Sequence, residues 1–530
     1  MSTIKNLKNY ILFIIGLTII LSCSDNTTYD VIIEKGIVYD GSGKNPIPID
    51  IGIKDQVIQK LGNLSKSKAV RRIDASGLSV APGFIDMHAH LEPILELSDC
   101  ESMLRQGVTT ALGGPDGNSP WPFGNYLQKL DSIGIGMNVG YLVGHNKVRR
   151  NVIKLDNRAP TADELATMKA QIKTAMNEGA FGISTGLKYL PGAFSKIEEV
   201  IALSKVAAAQ GGIYTSHLRE EGLGLFAAVR EAIAISDAAN IPVILTHHKV
   251  VGKPMWGKSA VTLAMVDSAR TAGLDIKIDQ YPYNASYTGI SILIPSWARA
   301  GGNEAFKQRL KIPKLRDSIK AGIVFNFIND RGGNDLARVQ FAKVAWQPAL
   351  EGKTLKYWCE QKGLETSIEN GAELVIEAQV NGGASCIFHA MSEVDVERIM
   401  QHPQTMIASD GRLSEPGVGH AHPRFYGTFP RVLGHYARDK KTITLSTAIY
   451  KMTQLPANTL GLKDRGVIKK GAKADIVIFN AETVIDKATF QKPHQYPVGI
   501  PYVIVNGQIS LDNGEFKHLK AGKVLRKSNN

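Results

Sequence analysis

Eight short strand-like runs divide this chain, at residues 82–88, 107–112, 138–143, 179–185, 212–217, 242–247, 275–281 and 405–410. Between most of them lie helical patterns. One is 161–176, where Thr161 is a candidate N-cap and Glu164 completes a capping box. Eight strand–helix units predict an α/β fold, a (β/α)8 TIM barrel whose active site is built at the C-terminal strand ends. The stretch between the seventh and eighth runs is too long for one such unit. It predicts an inserted subdomain at about 291–393, within a barrel spanning 81–449.

The residues that end these runs are polar. The first run stops on His88 and His90, and residues i and i+2 of an extended strand share a face, so two imidazoles stand side by side. The fourth run leads to Lys188, and the fifth ends in His217 and leads to Arg219. The sixth ends in His247, His248 and Lys249, and the eighth in Asp410. Adjacent histidines point opposite ways on a strand, and the apolar alternation turns His247 to the pocket. Imidazoles and a carboxylate gathered at one barrel mouth suit one or two divalent metal ions, zinc first, with manganese or cobalt as alternatives.

Both chain ends read differently. Residues 27–80 and 450–530 carry short alternating runs broken by glycine, which predict a small β-sandwich domain assembled from the two termini. Ahead of them, Lys5 and Lys8 precede the apolar run Tyr10–Leu21. That run is too short for an ordinary membrane span and fits a signal peptide over residues 1–22. Ile20-Leu-Ser-Cys23 resembles the bacterial lipoprotein cleavage box. The expectation is an exported lipoprotein of the bacterial cell envelope, anchored to a membrane through a lipid on Cys23. The remaining cysteines, Cys100, Cys359 and Cys386, are scattered and suggest no disulfide framework. The formal net charge is +13, but there is no long basic run and no nucleic-acid motif, so no nucleic-acid partner is expected and the charge reads as a solvated surface.

Several segments resemble the amidohydrolase superfamily and, within it, the N-acyl-D-amino-acid deacylase (D-aminoacylase) family. They include Ala81-Pro-Gly-Phe-Ile-Asp-Met-His-Ala-His90, Tyr214-Thr-Ser-His-Leu-Arg-Glu220, Thr246-His-His-Lys249, Asp279-Gln-Tyr-Pro-Tyr283, Ser409-Asp-Gly411 and His422-Pro-Arg-Phe-Tyr-Gly-Thr-Phe-Pro-Arg431. The resemblance implies that His88, His90 and Asp410 hold one metal and that His217 and His247 hold another. It departs where these deacylases often carry a cysteine, in the loop after the second strand, because Asp116 stands there. Other amidohydrolases bridge their metals with a carboxylated lysine, so carboxylated Lys188 is the expected bridge and Asp116 the alternative.

The implied substrate is a small N-acyl amino acid. Hydroxide, available near neutral pH from a metal-activated water, would attack its amide carbonyl, with Asp410 as general base and then acid. Lys249, Arg219, Tyr281 and Tyr283 would anchor the substrate, Lys249 at the α-carboxylate. Trp297 and Arg299 of the insertion would shape a side-chain or acyl pocket. The competing readings are a cyclic-amide hydrolase of the dihydroorotase or hydantoinase kind, a dipeptidase of the same fold, and a binding lipoprotein without catalysis.

Overall fold

The computed structural model describes residues 27–527, so the expected signal peptide and Cys23 lie outside the described residues. At the centre, eight parallel strands follow one another: β1 (Phe84–Asp86), β2 (Val108–Gly113), β3 (Asn138–Tyr141), β4 (Gly182–Gly186), β5 (Ile213–His217), β6 (Val243–Leu245), β7 (Ile276–Gln280) and β8 (Thr405–Ile407). β1, β2 and β3 pair in parallel. The chain breaks ladder at Leu142, and Val143–Gly144 then pairs with β4. From β4 the ladder runs unbroken through β5, β6 and β7 to β8. Just past the last strand, Gly411–Arg412 lies parallel to Ala89–His90, and Asp410 N–H donates to His88 O at 2.9 Å. These are the strands of a (β/α)8 barrel in the expected order.

The strands are buried on both faces: Val243–Leu245 is apolar throughout, while Gly182–Gly186 and Ile213–His217 bury small polar side chains among the apolar ones. Ile85, Leu112, Phe181, Ile213, Ile244 and Met406 pack into one inner cluster, together with Leu455 and Leu460 of the helix Gln454–Leu460. The barrel interior is therefore a filled core and not a pore. A larger apolar layer joins the strands to the surrounding helices. The capping box on the helix Ala162–Asn177 is present, with Thr161 N–H donating to Glu164 at 2.7 Å and Glu164 N–H to the Thr161 hydroxyl at 3.3 Å.

Two smaller sheets come from the termini. Thr28–Glu34, Asp50–Lys54, Val57–Gly62 and Lys68–Asp74 form one of four strands. Ser79–Pro82 joins Ile476–Phe479, Tyr502–Val505 and Gln508–Asp512 in a second, seven-stranded sheet. A separate apolar cluster, including Ile33, Ile51, Ile53, Val80, Ile476 and Ile504, lies between them. Residues near 450 do not belong to these sheets: Leu445–Met452 and Gln454–Leu460 are helices against the barrel, and the C-terminal strands start at Ile476. The inserted segment between β7 and β8 starts earlier than expected, with the strand Ser286–Gly289. That strand pairs antiparallel with Ser385–Phe388, which pairs with Val339–Lys343. No described helix is long and apolar enough to cross a membrane.

Candidate active site

The expected histidines meet at the C-terminal ends of β1, β5 and β6. His88 Nε2 lies 3.4 Å from Asp410 Oδ1 and 3.6 Å from Asp116 Oδ1. His90 Nε2 lies 3.2 Å from Asp410 Oδ1 and 3.8 Å from Asp116 Oδ2. On the other side, His217 Nδ1 and His247 Nε2 approach to 2.6 Å, and they lie 3.6 and 3.4 Å from Asp116 Oδ1. The donors fall into two sets, His88–His90–Asp116–Asp410 and Asp116–His217–His247, and Asp116 belongs to both. His248, three residues past the end of β6, turns away and meets the Thr262 hydroxyl at 2.9 Å.

The donor sets fit divalent cations. His88 Nε2 and Asp116 Oδ1 are buried and have no hydrogen-bond partner. Buried lone pairs left in this state are costly unless something charged occupies the space between them. The opposite ring nitrogens are engaged: His88 Nδ1 with the Thr246 hydroxyl at 2.7 Å, backed by Asp279, and His90 Nδ1 with Glu92 at 3.2 Å. That engagement aims each Nε2 inward, as metal-binding imidazoles require. Burial pushes the His88 pKa down to about 3, so the ring is neutral, the form that ligates. Burial opposes charge on Asp116 too, but His88, His217 and His247 outweigh it and hold the carboxyl well below its ordinary range. Asp116, His247 and Asp410 all have positive φ, at 54°, 37° and 47°. Three non-glycine residues in the left-handed region, each at the donor cluster, mark backbone bent to serve the site.

Carboxylated Lys188 as the bridge does not fit. Lys188 lies two residues beyond the end of β4, and its ammonium is captured at the rim by Glu220 at 2.6 Å and Asp330 at 3.6 Å. Lys188 is not among the residues lining the cavity over the donors, whereas the alternative, Asp116, lines it and belongs to both donor sets.

A cavity of about 270 Å³ opens over the donors. Lys249 and Tyr281 line it, as expected, but Arg219 and Tyr283 do not. Past the end of β5, Arg219 swings outward and donates to both oxygens of Glu231 at 2.8 and 2.9 Å. The strand before Tyr281 ends at Gln280, so the same-face rule does not place Tyr283, whose hydroxyl reaches Asp486 at 3.2 Å. Trp297 and Arg299 are also not among the lining residues; Arg299 donates to the Ser291 hydroxyl at 3.1 Å.

Four lining residues carry charges for which the sequence offered no role: Arg424, Glu221, Arg331 and Arg412, the last held to Glu92 at 3.2 Å. Arg424 Nη1 lies 2.9 Å from Asp410 Oδ2, its guanidinium covers the Tyr281 ring at 4.6 Å, and its Nε has no partner. Glu221 is buried between Lys249, to which it is paired, and Arg331 at 3.0 Å. Burial works against its charge, but Lys249 and the neighbouring imidazoles hold it ionised. Arg424 sits inside the His422–Arg431 motif and Glu221 directly follows the Tyr214–Glu220 motif, so both were within reach of the sequence. Arg331 comes from the insertion, where no pattern pointed to it.

The profile of the amidohydrolase family matches residues 71–276 and 369–511. The chain is 35% identical over 524 residues to an N-acyl-D-glutamate deacylase of Alcaligenes xylosoxydans xylosoxydans, covering 94% of this chain and 96% of that one. It is also 35% identical to a D-aminoacylase of the same organism over 532 residues, 96% of this chain and all of the relative. The crystal structure of N-acyl-D-glutamate deacylase from Bordetella bronchiseptica, complexed with zinc and a phosphonate mimic of the tetrahedral intermediate, superposes with a TM-score of 0.80 at 33% identity. That match covers 94% of this chain and all of the other. The chain belongs to the amidohydrolase family, in its N-acyl-D-amino-acid deacylase (D-aminoacylase) branch.

Proposed function

We propose that this protein is a metal-dependent deacylase that hydrolyses N-acyl-D-amino acids to a carboxylate and the free D-amino acid. The observation that carries this reading is a two-sided cavity. One wall is the pair of donor sets joined at Asp116. The other is a cationic face of Lys249 and Arg424 around Tyr281. Zinc is the cation that suits imidazole and carboxylate donors best, and the Bordetella relative was crystallised with it.

His88, His90 and Asp410 would hold one ion, His217 and His247 another, with Asp116 between them. When bound, such an ion polarises the amide carbonyl and makes water acidic enough to act as a nucleophile near neutral pH. The protein's own groups do the rest. Burial opposes charge on Asp410, but Arg424 and His88 outweigh it and keep the carboxyl below its ordinary range, so it is an ionised acceptor at any working pH. It accepts the proton from the attacking water and returns it to the departing nitrogen. Arg424, with an unpartnered Nε beside Tyr281, binds the substrate α-carboxylate, with Lys249 behind it. Anchoring the carboxylate on one side and the carbonyl on the other fixes which hand of the α-carbon presents its amide.

The test is amine release from matched N-acetyl-D- and N-acetyl-L-amino acids, beside dihydroorotate and hydantoin, by zinc-supplied protein. Turnover of the D series, lost in Asp410→Asn, is the expected result. Ring opening without turnover of any N-acyl amino acid would move the enzyme to the cyclic-amide branch. We also propose export and lipid attachment at Cys23, supported by Ile20-Leu-Ser-Cys23 after the apolar run. Labelled palmitate should enter the wild-type chain and not Cys23→Ser.

A further inference from the structure

A second cavity, of about 250 Å³, lies beside the first. The two share a wall residue, Asn118. The second is built in part by the two loops that deliver donors to the first: Leu91 and Glu92 directly follow His90, and Gly114 comes two residues before Asp116; Tyr126 of the helix Phe123–Ile133 and Tyr141 of β3 complete it. Its inner walls are apolar, formed by Leu91, Pro120 and the rings of Tyr126 and Tyr141, which meet edge to face with centroids 5.6 Å apart. Glu92 lines its edge and is held to His90 and Arg412.

An amide has two substituents that leave the carbonyl in opposite directions. The groups that bind the amino-acid side, Lys249, Tyr281 and Arg424, follow β6, β7 and β8. The acyl substituent therefore points the other way, toward the loops after β1 and β2, which line the second cavity. We propose that this cavity is the acyl subsite, and that the enzyme prefers N-acyl-D-amino acids whose acyl group is a linear aliphatic chain well beyond acetyl. This inference rests on the deacylase reading.

Each methylene seated in an apolar pocket is worth about fourfold in affinity. Across the N-acetyl, N-butanoyl, N-hexanoyl and N-octanoyl amides of a single D-amino acid, kcat/KM should rise by on the order of 10²-fold from acetyl to hexanoyl. Leu91→Trp, which fills the cavity, should cut the hexanoyl-to-acetyl ratio at least about tenfold. Leu91 is buried and its replacement could disturb folding, so Tyr126→Ala is the companion variant: it opens the cavity and should move the optimum to longer chains. Rates that are highest for acetyl and fall with each methylene would overturn the inference while leaving the deacylase reading in place. So would a chain-length profile unchanged in both variants. No turnover at any chain length would overturn both.

Discussion

Two buried clusters of histidine and carboxylate lie a short way apart along this chain, and they behave differently. In the first, at the barrel mouth, His88 Nε2 and Asp116 Oδ1 have no hydrogen-bond partner, and the imidazoles of His217 and His247 face each other at 2.6 Å. In the second, Glu199 takes His145 Nε2 on one oxygen at 2.7 Å and Arg149 on the other, and Arg149 donates again to Arg158 O at 2.5 Å. His145 Nδ1 is engaged as well, by Asn146 at 3.3 Å. Both clusters are buried and both contain residue types that bind metals. The difference is in what is left over. The Glu199 cluster spends its lone pairs internally and ties together the helices His145–Ile153 and Ile197–Ala208. The mouth cluster keeps its lone pairs aimed at a shared point, which is a liability for the empty fold and an asset for a bound cation.

The largest effect should come from the residue the two donor sets share. Asp116→Ala should lower kcat/KM by about 10³-fold or more, or about 4 kcal/mol, with metal content by elemental analysis falling below that of the wild type. The metal-free variant should unfold at a lower denaturant concentration than the metal-free parent, since it loses a carboxylate whose charge the neighbouring imidazoles favour in the fold. Lys188→Ala should retain its metal. Equal metal loss in both variants would erase the distinction drawn here between Asp116 and the rim lysine.

How far the sequence reached follows from the same contrast. The barrel strands were legible because they recur as short, largely apolar or small-residue runs between helical patterns, and the donors were legible because those runs lead to histidine or aspartate. The bridge was harder to read. Gly113-Gly-Pro-Asp116-Gly looks like a turn in one dimension, and only the left-handed φ of Asp116 brings its carboxylate between the donor sets. Lys188, Arg219 and Tyr283 were misplaced for one shared reason: each lies two or three residues beyond the end of its strand, where alternation no longer predicts direction. Arg331 arrived from an insertion whose fold had no periodic signature to follow.

The internally paired cluster should give the reverse result. Glu199→Ala strands the buried Arg149 charge, and should cost about 3 kcal/mol in unfolding free energy by denaturant titration. Metal content and kcat should stay at the wild-type level. A loss of bound metal in this variant would show that the two clusters are energetically joined. Arg424 belongs to the mouth, because it lines the cavity and its guanidinium lies against Asp410 and the Tyr281 ring. Arg424→Met should reduce kcat/KM by about 10²-fold, or about 2.7 kcal/mol, chiefly through KM. A fall confined to kcat would assign Arg424 to holding Asp410 and remove it from the carboxylate site.

Lys451 offers the smallest and most specific test of internal pairing. It sits on the helix Leu445–Met452, is buried, and donates to His402 O at 2.5 Å and Thr405 O at 3.0 Å, closing the start of β8. Burial pushes its pKa from 10.5 down to about 7. Between those values the unfolded chain keeps the proton that the folded chain releases, so the unfolded state binds more protons and stability rises with pH. The ceiling is about 1.4 kcal/mol per pH unit, and the two carbonyls, which favour the ammonium, reduce the slope below it. Denaturant titrations at pH 7, 8 and 9 should show this rise in the wild type. In Lys451→Met the Lys451 contribution to it should vanish, and stability at pH 7 should change little, since relief of a buried charge offsets two carbonyls losing their donor. An identical slope in the variant would mean that the ammonium is not strained by its burial, and that pairing to backbone carbonyls satisfies a buried cation as fully as Glu199 satisfies Arg149.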